Sequence, residues 1–149
     1  MQLTDTVGSL MKHKGSQVWA VPPGASVYEA IEIMADKQVG ALVVIAEGKL
    51  VGIVSERDYA RKVILKGRSS KETLVAEIMS SPVIFVTPTH SVGDCMRIIT
   101  ENRIRHLPIM EADAVVGLIS IGDLVKWIIS AQAAAIEHLE AYITGTYPG

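Results

Sequence analysis

Apolar and polar positions follow one order twice along the chain. Short β-branched runs at 18–21 and 83–86 each close on a proline within two residues, the pattern of a strand entering a turn. Ser26 and Ser91 then precede Val27-xx-Ala30-Ile31-x-Ile33-Met34 and Val92-xx-Cys95-Met96-x-Ile98-Ile99, which put apolar side chains on one face of a helix. Each serine is a ready N-cap, and Glu29 and Asp94, three residues on, predict a capping box. Two closely spaced apolar runs follow in each half, 41–45 with 50–55 and 107–110 with 115–120. Glu47-Gly48-Lys49 and Ala112-Asp113-Ala114 between them read as hairpin turns. A second helix is expected from about Glu56 to Leu65 and from about Ile121 onward.

The two halves align without a gap, 18–64 onto 83–129, at a constant offset of 65. Most recurring pairs are apolar, such as Val27 and Val92 or Leu42 and Leu107, as a shared fold requires. Gly52-Ile-Val-Ser55-Glu-Arg-Asp58 and Gly117-Leu-Ile-Ser120-Ile-Gly-Asp123 recur with their serine and aspartate intact. Thr73-Leu-Val-Ala-Glu-Ile-Met79 resembles Thr6-Val-Gly-Ser-Leu-Met11, so each copy has a short helical lead-in, with about three extra residues after the first. A period this long indicates a duplicated subdomain rather than a solenoid. The expected class is α+β: two strand-helix-strand-strand-helix copies packed as one pseudo-symmetric module. The expected divisions are 1–65 for the first copy, 66–72 for a polar, glycine-containing linker, 73–130 for the second copy and 131–149 for a helical extension. Ile129, Ile136 and Leu139 form an apolar line on that extension, which needs either a second subunit or its own chain to cover it.

Composition narrows the function. At 149 residues, 49% of them hydrophobic, the chain suits one small packed module. A net charge of −2 and a pI near 6.1 give no electrostatic attraction to nucleic acid or an anionic membrane. The apolar stretch 118–139 is broken by Asp123, Lys126 and Glu137, against a membrane span. Met1-Gln-Leu-Thr-Asp lacks the basic start and apolar run of a signal peptide. Cys95 stands alone and reads as a core residue. The chain is therefore expected to be cytoplasmic.

Two readings of the repeated polar pair are open. In one, Ser55 with Asp58 and Ser120 with Asp123 are capping boxes and nothing more. In the other, the hydroxyl and free N–H groups at a helix start receive phosphate, while the carboxylate accepts hydrogen bonds from the two hydroxyls of a ribose. Catalytic signatures are missing: the chain has no phosphate-loop lysine motif, no G-x-G-x-x-G and no H-E-x-x-H. Gly117-Leu-Ile-Ser120-Ile-Gly122 is one residue too long for a nucleophile elbow. Histidines at 13, 90, 106 and 138 show no metal-ligand spacing, so neither catalysis nor a metal is expected.

These repeats resemble a tandem pair of cystathionine β-synthase (CBS) domains, a Bateman module, over essentially the whole chain. The G-h-h-S-x-x-D ending of both copies carries the likeness, with Arg103-Ile-Arg-His-Leu-Pro108 and Ser120-Ile-Gly-Asp-Leu-Val-Lys126 similar to stand-alone bacterial CBS pairs. The resemblance implies a non-enzymatic sensor holding AMP, ADP, ATP, NAD(H) or S-adenosylmethionine in clefts between the repeats. It implies Asp58 and Asp123 on ribose and Ser55, Arg57, Arg105, Ser120, His106 and Lys14 near phosphate. The implied adenine pocket is Val18, Val21, Gly40, Ala41, Val83, Val86, Leu107 and Pro108. A homodimer and a separate effector protein are the implied partners. The copies differ where ligand is expected: Gly40-Ala41 faces Arg105-His106 in the alignment, and Glu56-Arg57 faces Ile121-Gly122. The two clefts are therefore expected to differ in affinity or in ligand. The rival reading keeps the fold but binds no nucleotide, regulating an enzyme through its surfaces.

Overall fold

The structure, a computed structural model, describes residues 3–15 and 17–143. Helix α1 (Val7–Lys14) leads to β1 (Ala20–Val21), α2 (Val27–Lys37) and the hairpin β2 (Ala41–Ala46) and β3 (Lys49–Ser55). Helix α3 (Glu56–Tyr59) continues as a π-helical segment over Ala60–Ile64. The second half runs α4 (Val75–Ile78), α5 (Val92–Asn102), β4 (His106–Glu111), β5 (Ala114–Ser120) and α6 (Ile121–Ile143). The architecture is α+β, two copies of one unit.

Local chemistry sets the shared details. Ala46 pairs with Lys49 and Glu111 with Ala114, so each hairpin turns on two residues, one fewer than expected. Glu47 and Gly48 have φ of 51° and 78°, and Ala112 and Asp113 have 49° and 66°. Two successive positive φ values give the turn whose twist matches that of the strands. Helices α2 and α5 end on left-handed residues, Gln38 and Arg103, whose N–H groups close the last turn. Ser91 and Asp94 form the expected capping box at α5. At α2 the Ser26 half forms, its hydroxyl oxygen accepting from the Glu29 N–H at 3.1 Å.

The opening strands are shorter than the apolar runs suggest. β1 is two residues, parallel to β2, and its counterpart is reduced to a single bridge from Val86 to Ile109. Proline explains the loss. In the first copy the Val43 N–H donates to the Trp19 carbonyl at 3.2 Å. The aligned residue in the second copy is Pro108, which has no N–H to give.

Two apolar cores form, and each lead-in crosses to the opposite copy. Val7 and Leu10 of α1 pack with Val86, Val92, Leu107 and Ile119 in the second core. Val75 and Ile78 of α4 pack with Val27, Leu42 and Val54 in the first. Backbone bonds repeat the exchange: Val7 N–H donates to His90 O and Val92 N–H to Asp5 O, as Val75 N–H donates to Ala25 O and Val27 N–H to Thr73 O, at 2.8–2.9 Å. The motif glycines belong to this packing. A Cβ on Gly52 would lie 2.4 Å from Met79 Sδ, and one on Gly117 would lie 3.0 Å from Met11 Cε. Each glycine leaves room for the lead-in methionine that crosses over it.

Helix α6 runs on beyond the second copy as one continuous element. Ile129, Ile136 and Leu139 are 57%, 56% and 61% exposed, so these three do not fold back on their own chain. No helix among the described residues is long and apolar enough to cross a membrane.

Candidate functional site

Between the copies lies a cavity of about 410 Å³. The end of β3 and the helix after it supply Ile53, Ser55, Glu56, Arg57, Asp58, Arg61 and Lys62, and Gly40 closes that side. The second copy supplies Ser80, Pro82, Val83 and Ile84, then Arg103, Ile104, Arg105 and His106 from the end of α5 to the start of β4. Glu56 N–H donates to Gly40 O at 3.1 Å, and Ile121 N–H to Arg105 O at 2.8 Å, so equivalent bonds anchor the strand ends of both copies.

At this cleft the capping box is real and leaves a carboxylate at the wall. Asp58 Oδ2 accepts from the Ser55 N–H at 2.9 Å and its hydroxyl at 3.0 Å, while Ser55 Oγ accepts from the Asp58 N–H at 3.2 Å. Asp58 Oδ1 faces Lys62 Nζ at 3.1 Å, one helical turn on, and Lys62 also donates to Ile78 O at 2.8 Å. Arg57 donates to the Arg103 carbonyl at 3.2 Å, tying the first helix to the end of α5. Burial, with Lys14 and Arg105 nearby, holds the His106 imidazole below its usual 6.5, against the opposing pull of Asp123 and Asp58. Five side-chain cations and two carboxylates thus line one hollow, which favours an anionic occupant.

The counterpart carboxylate is held differently. Asp123 Oδ2 accepts from the Ser120 N–H at 2.8 Å, and Ser120 Oγ accepts from the Asp123 N–H at 3.1 Å, the same box. Its ion-pair partner is Lys14, which also donates to the carbonyl of Leu118. Burial would raise the Asp123 carboxyl, but the bonds from Lys14 and the Ser120 N–H outweigh it and hold the group below its usual 3.8.

Of the residues expected from sequence, Ser55, Arg57, Asp58, Gly40, Val83, Arg105 and His106 line the cavity together. Ser120, Asp123 and Lys14 come together at the equivalent strand end of the second copy, where Lys14, expected near phosphate, pairs with the Asp123 carboxylate instead. Val21, Ala41, Val86 and Leu107 are buried in the body of the module, as is Pro108, and none of them lines this cavity. Val18 is half-buried beside β1 and also lies off it. The apolar walls are instead Ile53, Val83, Ile84 and Ile104. Arg61, Lys62 and Arg103 were missed as site residues. Lys62 had a usable signal, four residues after Asp58 on one helix.

No group of His, Cys, Asp and Glu among the described residues could hold a metal ion. Cys95 is fully buried, and burial followed by the nearby Asp94 charge pushes its thiol up to about 11, against a nucleophilic role.

A family model described as CBS domain matches residues 7–65 and 75–130. The chain is 41% identical over 152 residues to "CBS domain-containing protein CBSX3, mitochondrial" of Arabidopsis thaliana, covering 95% of this chain and 73% of that one. It is 33% identical over 119 residues to CBS domain-containing protein YhcV of Bacillus subtilis, covering 80% and 84%. Among solved structures, a candidate signal-transduction protein with CBS domains from Burkholderia ambifaria superimposes with a TM-score of 0.81 at 48% identity, covering 85% of this chain and 96% of that one. A CBS domain pair solved with 5′-methylthioadenosine and S-adenosyl-L-methionine superimposes with a TM-score of 0.77 over 86% and 98%; at 22% identity this likeness is one of fold.

Proposed function

Since the chain belongs to the CBS-domain family, we propose that it is a non-catalytic cytoplasmic regulatory module that binds an adenosine-containing ligand at Asp58. The observation that carries the reading is the Asp58 carboxylate at the wall of a 410 Å³ hollow whose other polar groups are mostly cations from both copies. Asp58 accepts from the ribose hydroxyls, and Ser55 with Arg57, Arg103 and Arg105 receives phosphate. The adenine lies against Val83, Ile84 and Ile104. Asp123 is the ribose acceptor of a second, counterpart cleft. AMP, ADP, ATP and NAD(H) all carry the required groups.

Both copies contribute walls, so a ligand that prefers one relative arrangement of the copies shifts the module toward it. The output passes to a separate effector protein. The exposed line of Ile129, Ile136 and Leu139 on α6 supports a homodimer joined through that helix. The same line is what favours the rival reading, an interaction protein without nucleotide.

Thermal unfolding with AMP, ADP, ATP, NADH and S-adenosylmethionine decides between them. A ligand at 100 times its Kd stabilises by about 2.7 kcal/mol, a midpoint shift of several degrees. Asp58→Ala is expected to remove most of that shift while costing the free protein only a cap, about 1 kcal/mol. No shift with any of the five compounds at saturating concentration overturns the proposal.

A further inference from the structure

The cavity at Asp58 shows what its counterpart at Asp123 would be if it were open. Three of its wall residues are Asp58, Ile53 and Pro82. Their equivalents are Asp123 and Leu118, at the offset of 65, and Lys14, at the offset of 68 that the lead-ins carry. In the second copy one ammonium joins all three positions, because Lys14 Nζ donates to the Leu118 carbonyl and to Asp123 Oδ2. A proline in that place cannot reach across; a lysine does. Of the other equivalents, Lys12 in place of Ser80 adds a cation and Lys126 keeps the charge of Arg61, while Gly122, Trp127, Gln38 and Gly40 stand where the first cleft has Arg57, Lys62, Arg103 and Arg105.

We propose that Lys14 makes the second cleft phosphate-dependent: it spans the cleft by holding Asp123, and it releases that carboxylate to a ribose only when the ligand's phosphate offers it another anion. This rests on the ribose role proposed above for Asp123. An uncharged nucleoside must break the Lys14–Asp123 pair without replacing it, and so binds poorly. A nucleotide exchanges one charge-assisted contact for another. Lys14 thereby excludes neutral adenosine compounds from this cleft.

Calorimetric titration of the whole chain with adenosine and with AMP tests this, in an Asp58→Ala background that isolates the second cleft. Lys14→Met is expected to strengthen adenosine binding and weaken AMP binding, each by about tenfold, the size of one lost or gained charge-assisted hydrogen bond. Lys14→Arg is expected to keep the preference for AMP. An unliganded melting curve for each variant confirms that it folds. Affinities for both compounds that move in the same direction, or do not move, overturn the role of Lys14. Binding that is present with Asp58 intact but absent from every variant in the Asp58→Ala background also overturns it and leaves the first cleft standing. Absence of binding in all proteins, wild type included, removes the nucleotide reading itself.

Discussion

In the first copy Asp58 meets Lys62 from its own helix, one turn on; in the second, Asp123 meets Lys14, which arrives on the lead-in from the far side. The cap, the strand end and the backbone bonds around the two carboxylates are the same. The residue aligned with Lys62 is Trp127, which turns into the second core and donates its indole N–H to Asp5 at 3.0 Å. Positions that the common backbone needs have stayed alike, while positions facing the hollow are free to diverge. Duplication has thus kept one scaffold and given it two different electrostatic interiors.

The strongest way to break this comparison is through the cores. Leu42 and Leu107 are equivalent and fully buried, and truncation of either to Ala is expected to cost about 2–5 kcal/mol. Because lead-ins cross between copies, both variants should show one melting transition at a lower temperature; two separate transitions would mean that the halves are independent. Next come the glycines. Gly52→Ala is expected to cost about 1–3 kcal/mol by overpacking against Met79, and Gly117→Ala less, since its contacts are looser. Chemical denaturation ranks them, and adding Met79→Ala should recover part of the Gly52→Ala loss.

A smaller difference is expected at Trp127. Phe in its place keeps the ring and loses the bond to Asp5, about 0.5–1.5 kcal/mol by the same denaturation measurement. The smallest effect concerns pH. His106 is held below its usual value by burial, with Lys14 and Arg105 beside it and Asp123, Asp58 and Glu56 as its acidic neighbours. The unfolded chain therefore takes up a proton that the folded chain resists, so stability declines as pH falls below 6.5. Melting temperatures of wild type and His106→Gln between about pH 8 and pH 5 should diverge, with the variant losing less.

What could be read in the chain was governed by local rules. Serine before a helical apolar face gave the N-caps, and the short polar breaks at 47 and 112 gave the hairpins. The offset of 65 gave the pairing of copies. The second opening strand was overestimated because Pro108 has no N–H to donate to Ile84, 24 residues earlier in the chain. Gly52 and Gly117 could be seen as part of a motif, but that they accommodate Met79 and Met11 depends on which copy each lead-in joins. The Lys14–Asp123 pair was hidden for the same reason: 109 residues separate its members. Lys14 could be placed near a phosphate from its position, yet its contact with the carboxylate is a property of the crossed packing.

That crossing has a consequence for how such a chain could have arisen. A peptide with one copy would carry a lead-in that has no seat on its own body, and a core with a gap where Val75 and Ile78, or Val7 and Leu10, now sit. Two such peptides would complete each other by exchanging lead-ins, stable only at concentrations that keep them together. Joining them through the segment between Ile64 and Val75 makes that exchange intramolecular and independent of dilution. The fused halves can then accumulate unlike residues along their shared seam, which a symmetric pair of identical peptides never could.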